Sequence, residues 1–300
     1  MRPIRRKYQD GDVSKISEFY GKLAKNNCQS NNLKCAWECF SKHPCFPEFR
    51  PEEFGIWENH GEIVGVVCLE SPWDGAVFFD HFSQYKEICD EMIQYAEEHF
   101  AGTSKDGGKY LRTNVLSSNK GLQEALALRG YEKSPAVYAN AYSLYDSIPN
   151  APVPEGFTIK SLEEVYDFDK LNRLLWKAFE YEGEPPAYDS NVKLSIKHAW
   201  LEYRRDICSV VIAPDGSYAS FCGMWFDEEN QEVYLEPLAT SKEYRNLGLA
   251  KTCVYAALKS CKELGAIYAY VDPDEEAYEF YKKIGFVTEV REGSQWKKYL

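Results

Sequence analysis

The fold of the C-terminal half is decided by residues 236–250, which read EPLATSKEYRNLGLA. They end an apolar strand predicted at 231–240 and lead through a short polar loop into a predicted helix at 247–264. The first amides of a helix have no partner within the helix and carry partial positive charge. Gly248 leaves their approach open, Ala250 keeps the next turn small, and Arg245 adds a charged fork of donors. This segment therefore predicts a site for a phosphate-type anion.

The surrounding pattern predicts a mixed sheet. Apolar runs at 207–213, 217–226 and 231–240 indicate an antiparallel meander, and the helix at 247–264 precedes another strand at 266–271. A strand, a helix and a strand in sequence form a right-handed parallel crossover. The remaining predicted elements are a strand at 157–162 and helices at 163–181, 191–206 and 275–284, with two short strands at the end of the chain.

Two motifs resemble those of the GNAT acetyltransferase superfamily. The first is Arg245-x-x-Gly248-x-Ala250, which is similar to the acyl-CoA signature of that family, and the second is the stretch AYEFYKKIGF at 277–286. Their order and spacing also match. The resemblance implies an α+β (α/β) fold with a mixed, mostly antiparallel sheet, helices on both faces, and acetyl-CoA as the acyl donor.

The resemblance also implies roles for individual residues. Tyr281 matches the tyrosine that protonates the departing thiolate, and Asp274 stands where the family often has an asparagine that contacts the cofactor. An acid there would lie near an anionic ligand, so this contact is in doubt. The residues implied to hold CoA through the signature loop and the preceding strand are Leu238, Ala239, Thr240, Arg245, Asn246, Leu247, Gly248, Leu249 and Ala250.

Glu236 is the candidate general base. An amine acceptor arrives protonated and must lose a proton before it attacks the acyl group. Glu236 precedes Pro237 in a strand that is otherwise apolar, and charged groups are rarely placed in such strands without a function. The alternative is a glutamate at a strand edge in solvent. We favour the functional interpretation.

The chain contains an internal repeat. Gly61 and Gly216 follow hairpin-like turns, Gly130 and Gly285 follow helix-like segments, and both pairs are separated by 155 residues. A proline-rich segment at 149–156 separates the copies, which gives domains at 1–148 and 157–300. We therefore expect two tandem copies of one fold with the same mixed sheet.

The first copy lacks the motif residues to which a role is assigned in the second. It has no glycine between Gly75 and Gly102 and no Arg-x-x-Gly-x-Ala loop, and the 155-residue offset places Leu126 opposite Tyr281. It is interpreted as a degenerate domain that packs on the active one and helps to shape the acceptor pocket. CoA is expected to bind only the second copy.

Composition and charge limit the classes of partner and the cellular location that are expected. The formal net charge of −12 disfavours nucleic acid as a partner. No apolar run is long enough to span a membrane, and the N-terminal segment does not resemble a signal peptide. The scattered cysteines favour a reducing, cytoplasmic location. Cys28, Cys35, Cys39 and Cys45 surround a helical pattern and only one pair has zinc-type spacing, so no metal is expected.

The predicted function is N-acetyl transfer from acetyl-CoA to a small amine. Two alternatives stay open: a non-catalytic acyl-CoA-binding or scaffold protein, and an acetyltransferase acting on a protein N-terminus or lysine. The acidic and aromatic segment at 180–190 would suit a cationic acceptor, or it is a solvated loop. Neither the acceptor nor the oligomeric state can be inferred from the sequence.

Overall fold

Two compact units make up the protein. The computed structural model describes residues 2–25, 32–43, 46–70, 75–185 and 204–300. The first unit comprises Met1–Ser41, Cys45–Ala139 and Glu289–Leu300, and the second comprises Lys42–Pro44 and Asn140–Thr288. Each unit has its own buried apolar core.

The first unit contains two sheets, and in the described part of the unit a parallel bridge between Ala76 and Arg112 joins them. The sheet orders are β1-β2-β3-β4 and β5-β6-β14-β7. The strands are β1 (Ile4–Lys7), β2 (Gly55–Asn59), β3 (Glu62–Leu69), β4 (Val77–His81), β5 (Gly102–Thr103), β6 (Lys109–Leu116), β7 (Glu132–Tyr138) and β14 (Glu292–Tyr299). The helices are α1 (Asp12–Lys25), α2 (Lys34–Lys42), α3 (Cys89–His99) and α4 (Lys120–Leu128).

The second unit is built on one sheet with the order β8-β13-β12-β11-β10-β9. Its only parallel pair among the described strands is β12 with β13, and α7 connects these two strands. The strands are β8 (Asn140–Ser143), β9 (Thr158–Ser161), β10 (Ser209–Ile212), β11 (Tyr218–Asp227), β12 (Glu232–Thr240) and β13 (Tyr268–Val271). The helices are α5 (Leu162–Val165), α6 (Phe168–Ala178), α7 (Leu249–Glu263) and α8 (Glu275–Lys283).

The repeat predicted from the glycine spacing is visible in the structure. Gly61 and Gly216 have φ angles of 83° and 81° and turn the equivalent hairpins β2–β3 and β10–β11. Gly130 and Gly285 also have positive φ and follow the equivalent helices α4 and α8. In each unit a helix follows an antiparallel meander, and the predicted mixed α+β fold is confirmed. The strand after that helix pairs in parallel with β12 in the second unit, whereas among the described residues of the first unit the parallel contact is the bridge between Ala76 and Arg112.

The units do not coincide with the domains predicted at 1–148 and 157–300. Strand β14 from the C-terminal end lies between β6 and β7 of the first unit. Strand β8, which precedes the 149–156 segment, pairs with β13 of the second unit. Each half of the sequence thus supplies one strand to the unit formed mainly by the other half. Backbone hydrogen bonds carry this exchange, and backbone groups are common to all residues, so it leaves little trace in the sequence.

Most element boundaries lie within a few residues of the sequence prediction, with two differences. The helix predicted at 163–181 is divided into α5 and α6, because the Asp167 side chain accepts from the Lys170 amide at 3.1 Å and starts a new helix. Only β14 and an isolated bridge at Thr288 follow α8.

Other predictions are only partly covered by the described residues. The helix predicted at 191–206 lies outside them except for its last three residues, and 186–190 of the acidic segment also lies outside. Cys35 and Cys39 are buried in α2, whereas Cys28 and Cys45 are not among the described residues. In the part of the chain that is described, no helix is long and apolar enough to cross a membrane.

Candidate active site

Strand β12 has a paired strand on both edges only along its first part. Strand β11 pairs with β12 as far as Thr240, but β13 pairs only from Glu232 to Tyr234. Among the described strands, nothing therefore pairs with the other edge of β12 beyond Tyr234. Peptide groups on such an edge need partners, and an extended chain of a ligand could supply them. Leu238, Ala239 and Thr240, predicted as the strand that grips the cofactor, lie on this edge.

A bulge in β12 shapes the start of the open edge, because Glu236 and Pro237 together lie opposite Gly223 of β11. The register between the two strands shifts between Cys222 and Met224. A Cβ atom added to Gly223 would come within 2.6 Å of the Glu236 carbonyl oxygen, so only glycine fits there. The Trp225 indole donates to the same carbonyl at 3.0 Å. These contacts fix the backbone of Glu236 where β12 and β13 separate.

Glu236 has the proton affinity of a neutral-pH base. Burial of its carboxyl group, together with the negative charge of Asp272, raises the pKa of Glu236 from 4.5 to about 7. Desolvation disfavours the charged form, and a nearby like charge acts in the same direction. A carboxylate with this pKa accepts protons near neutral pH, which is what general-base work requires.

The signature loop ends in a helix N-terminus without a side-chain cap. Asn246 and Gly248 both have positive φ, 66° and 81°, and Gly248 is the N-cap residue of α7. No side chain of the described residues caps this end of α7. A Cβ atom on Gly248 would meet no atom within 4 Å, so the space above the loop is open. Leu249 is buried, and the first amides of α7 have no partner within the helix.

Arg245 lies in the loop as expected, but its side chain points to α6. Its guanidinium donates to the Glu180 carboxylate and to the Ala178 carbonyl, each at 2.8 Å, and to the Thr240 carbonyl at 3.4 Å. All three guanidinium nitrogens thus have protein acceptors. Three of its five N–H groups are used in this way.

Tyr281 is buried on α8 and packs against Phe280 and Phe286. Burial raises the pKa of its hydroxyl, and Cys222, Glu236 and Asp274 raise it further through their charges. The hydroxyl therefore keeps its proton at neutral pH and can act as a donor.

Asp274 has a structural role that its sequence position does not reveal. It is the N-cap of α8, and its carboxylate accepts from the Ala277 amide at 2.8 Å. Asparagine and aspartate are almost equally good N-caps. This role accounts for the departure from the family pattern without any contact to a cofactor.

A cavity of about 220 Å³ lies beside the open edge of β12. Its lining brings together several of the predicted cofactor residues with two that sequence reasoning missed, Ala178 and Phe280. Glu236 and Tyr281 are not among the lining residues. The lining consists of Ala178, Leu238, Ala239, Thr240, Arg245, Ala250 and Phe280.

Three further residues of the site were missed. Asp272, which follows β13, and Trp225 of β11 both act on Glu236, and Cys222 of β11 lies opposite Leu238 beside the bulge. The pattern gave no signal for Trp225 or Cys222, because both read as ordinary apolar strand residues. Asp272 could have been found from the predicted parallel crossover. Tyr270 pairs with Tyr234 of β12, so two residues further along the same register Asp272 corresponds to Glu236.

Comparison with known proteins identifies the fold of this site. Residues 168–286 match the Acetyltransferase (GNAT) family. The GNAT match includes the open edge of β12, the signature loop and α8, but it covers less than half of the chain. A mycothiol acetyltransferase from Actinosynnema mirum is 26% identical over 203 residues, a match covering 65% of this chain and 64% of the relative's length.

Solved GNAT structures resemble the whole chain. A GNAT-family acetyltransferase from Colwellia psychrerythraea has a TM-score of 0.58 at 10% identity, covering 99% of this chain and all of that one. A tandem GNAT protein from the clavulanic acid biosynthesis pathway has a TM-score of 0.55 at 12% identity, covering 99% and 97% of the two chains. At such low identities these similarities show the fold alone.

Proposed function

We propose that the protein is a GNAT-type N-acetyltransferase that moves the acetyl group of acetyl-CoA directly to an amine. The observation that carries this proposal is the open edge of β12, which runs past a cavity to the uncapped N-terminus of α7. An extended, amide-containing arm that ends in a pyrophosphate suits this arrangement, because its amides can pair with a strand and its charge with helix amides.

The residues present fit acetyl-CoA. The Leu238–Thr240 backbone would pair with the pantetheine arm, and the amides from Asn246 to Ala250 would hold the pyrophosphate. Gly248 supports this assignment, because its missing side chain leaves the space in front of those amides open. Whether Arg245 or Asp274 also touches the cofactor stays a prediction, and both side chains have other partners in the protein.

The chemistry would be divided between two side chains. Glu236 takes a proton from the acceptor ammonium, and the freed amine nitrogen forms a bond to the acetyl carbonyl carbon. The carbon–sulfur bond would then break as the sulfur receives the proton of the Tyr281 hydroxyl, and the new amide nitrogen would give up its surplus proton to the tyrosinate. The pKa directions support this division, since Glu236 is poised to accept a proton near neutral pH and Tyr281 to retain one.

The identity of the acceptor remains open. The similarity to a mycothiol acetyltransferase supports acetyl transfer, but 26% identity does not carry that protein's acceptor over. A small amine is our proposal, in a cytoplasmic setting. Packing of the two halves on each other, and a degenerate first copy, also remain proposals.

The test is a thiol-release assay with acetyl-CoA and a panel of amines that includes polyamines, amino sugars, amino acids and peptides. We expect CoA release that depends on one class of small amine. Release only with peptides would favour a protein acetyltransferase. Tight binding of acetyl-CoA by calorimetry, without release with any amine, would favour the non-catalytic alternative.

A further inference from the structure

The guanidinium of Arg245 joins two parts of the second unit. It is anchored to the end of β12 through the Thr240 carbonyl, and it reaches the C-terminal end of α6 through Ala178 and Glu180. A cation at a helix C-terminus interacts favourably with the helix dipole and with the last carbonyl groups, which lack partners inside the helix. The arrangement is a two-pronged clamp on the residues that follow α6.

These residues form a turn, 178–184, beside the cavity. Ala178 lines the cavity. The Trp176 indole donates to the carbonyls of Glu182 and Gly183 at 3.3 and 3.0 Å, and its ring lies 4.8 Å from that of Tyr181. The turn is therefore folded back on α6.

The turn presents aromatic surface to its surroundings. Phe179 is 52% exposed and Tyr181 is 60% exposed. Such exposed aromatic side chains next to a ligand cavity are suited to contact a ligand. Their position depends on how firmly the turn is held, and the ion pair between Arg245 and Glu180 is one of its two ties to the signature loop.

We propose that Arg245 is a positioning residue that holds the 178–184 turn through Glu180 and Ala178 and thereby sets the affinity for the amine acceptor. This inference rests on the proposed function. It differs from the phosphate-binding role that the sequence motif suggests for Arg245. In the proposed role the planar fork matters, because two acceptors must be reached at once; in a phosphate role the positive charge matters.

Three substitutions separate these roles. Glu180→Gln and Arg245→Gln each remove one side of the ion pair, and Arg245→Lys keeps the charge but loses the fork. We expect all three to raise the KM for the amine about three- to tenfold, as suits a partly exposed pair, with kcat and the Kd for acetyl-CoA changed less than about twofold. The double variant should be no worse than Arg245→Gln alone.

Lys177→Met is the matched control. Lys177 also ties α6 to the signature loop, through an ion pair with Glu243 at 3.1 Å, and neither residue lines the cavity. Lys177 meets the turn through its backbone carbonyl, which accepts from the Glu180 amide at 3.3 Å and which the substitution keeps. We expect the KM for the amine to be unchanged in this variant. An equal increase would show that any loss of contact between α6 and the loop has the same effect, which contradicts a specific role of Arg245.

Hydrogen exchange of the amides at 179–184 gives a readout that needs no activity. We expect faster exchange in Arg245→Gln and in Glu180→Gln than in the wild type and in Lys177→Met. If the wild type bound acetyl-CoA but acetylated no amine, the proposed function would fail while this measurement still tested the clamp. Unchanged exchange in both variants would overturn the inference, and so would a tenfold loss of acetyl-CoA affinity in Arg245→Gln that Arg245→Lys does not show.

Discussion

The two units contain the same crossover, from β4 to α3 in the first and from β12 to α7 in the second, but different groups occupy it. The 155-residue offset places His81 opposite Glu236. His81 is 1% exposed, and its two ring nitrogens lie 3.3 Å from the Cys89 sulfur and 3.0 Å from the Phe82 carbonyl oxygen. Burial lowers the pKa of His81, so it is neutral at pH 7. The first unit thus has a buried core histidine at the position where the second unit has its candidate general base.

The helix N-termini differ in the same way. Helix α7 begins at Gly248 after a loop with positive φ angles, whereas α3 follows a 3₁₀ turn, Ser83–Ile88, without such residues. Asp90 and Glu91 lie in the first turn of α3, and Asp90 is paired with Arg129 at 2.7 Å. Carboxylates already stabilise this end of α3 and would repel an anionic ligand. The two units thus share a backbone fold, whereas the candidate anion site of the second unit depends on a few loop residues.

The largest loss of function is expected from a substitution of Gly248. Gly248→Val should abolish acetyl-CoA binding, measured by calorimetry, because a branched side chain would fill the open space in front of the amides and disfavour the left-handed backbone. Arg245→Ala should change the Kd for acetyl-CoA less than about twofold, because it leaves the amides in place. The wild type should bind one acetyl-CoA per chain.

Gly130→Val is the matched control for this prediction. Gly130 also has a φ of 81°, and a Cβ atom there would likewise meet nothing within 4 Å, but it lies in the first unit. Its strain should lower thermal stability to a similar extent without affecting acetyl-CoA binding. If folded Gly248→Val bound acetyl-CoA like the wild type, the cofactor would not lie on this loop.

The next largest effect is expected at Glu236. Glu236→Gln should lower kcat/KM by about 10² to 10⁴, the usual contribution of a general base. In the wild type, kcat/KM should rise with pH through about 7 as Glu236 loses its proton, and this step should be absent in the variant. The corresponding change in the first unit, His81→Gln, should leave the pH profile unchanged.

Glu236 also predicts a pH dependence of stability that needs no substrate. Its pKa is about 7 in the folded protein and about 4.5 when unfolded, so the folded state binds more protons between these values. Its contribution therefore falls as the pH rises from about 4.5 to 7. The difference in unfolding free energy between Glu236→Gln and the wild type should grow over this range in urea titrations. A constant difference would show that the pKa of Glu236 is not raised.

A smaller loss is expected at Tyr281. Tyr281→Phe should lower kcat about a hundredfold with little change in acetyl-CoA affinity, because the hydroxyl acts on a thiolate that forms only during the reaction. Tyr131→Phe is the control, since it removes a buried hydroxyl in the first unit, where it contacts Glu97 at 3.3 Å. Equal rates for wild type and Tyr281→Phe would remove Tyr281 from the mechanism.

Local sequence features predicted most of the second unit. Periodicity placed α7 and the meander, since their apolar positions follow the core directly, and the glycine spacing revealed the repeat because positive φ values restrict residue choice. The raised proton affinity of Glu236 could be anticipated only qualitatively. Its size depends on burial and on Asp272, which come from elsewhere in the fold.

Features that depend on long-range pairing could not be predicted. The exchange of β8 and β14 between the units involves backbone hydrogen bonds between segments far apart in the sequence. The partners of Arg245 were missed for the same reason, since Ala178 and Glu180 lie more than sixty residues away. A motif shows which residue types are present, but not what each side chain contacts.

The smallest effect, a change in stability, is expected at the equivalent helix caps of the two units. The offset places Asn119 opposite Asp274, and both cap the following helix: Asn119 accepts from the Leu122 amide at 3.2 Å, and Asp274 from the Ala277 amide at 2.8 Å. Asn119→Ala and Asp274→Ala should each cost about 1 kcal/mol of stability, whereas Asp274→Asn should be nearly neutral. For units of this size, the alanine variants correspond to a fall in Tm of about 2 to 4 °C by calorimetry.

Acetyl-CoA affinity decides whether Asp274 is more than a cap. If capping is its whole role, Asp274→Ala and Asn119→Ala lower thermal stability alike and leave the Kd for acetyl-CoA unchanged. Asp274→Asn restores the residue type that the family often has, and it removes a negative charge that helps to raise the pKa of Tyr281. A gain in affinity from Asp274→Asn, together with a loss from Asp274→Ala, would instead place this side chain in contact with the cofactor, and the two caps would then differ in function despite their equal geometry.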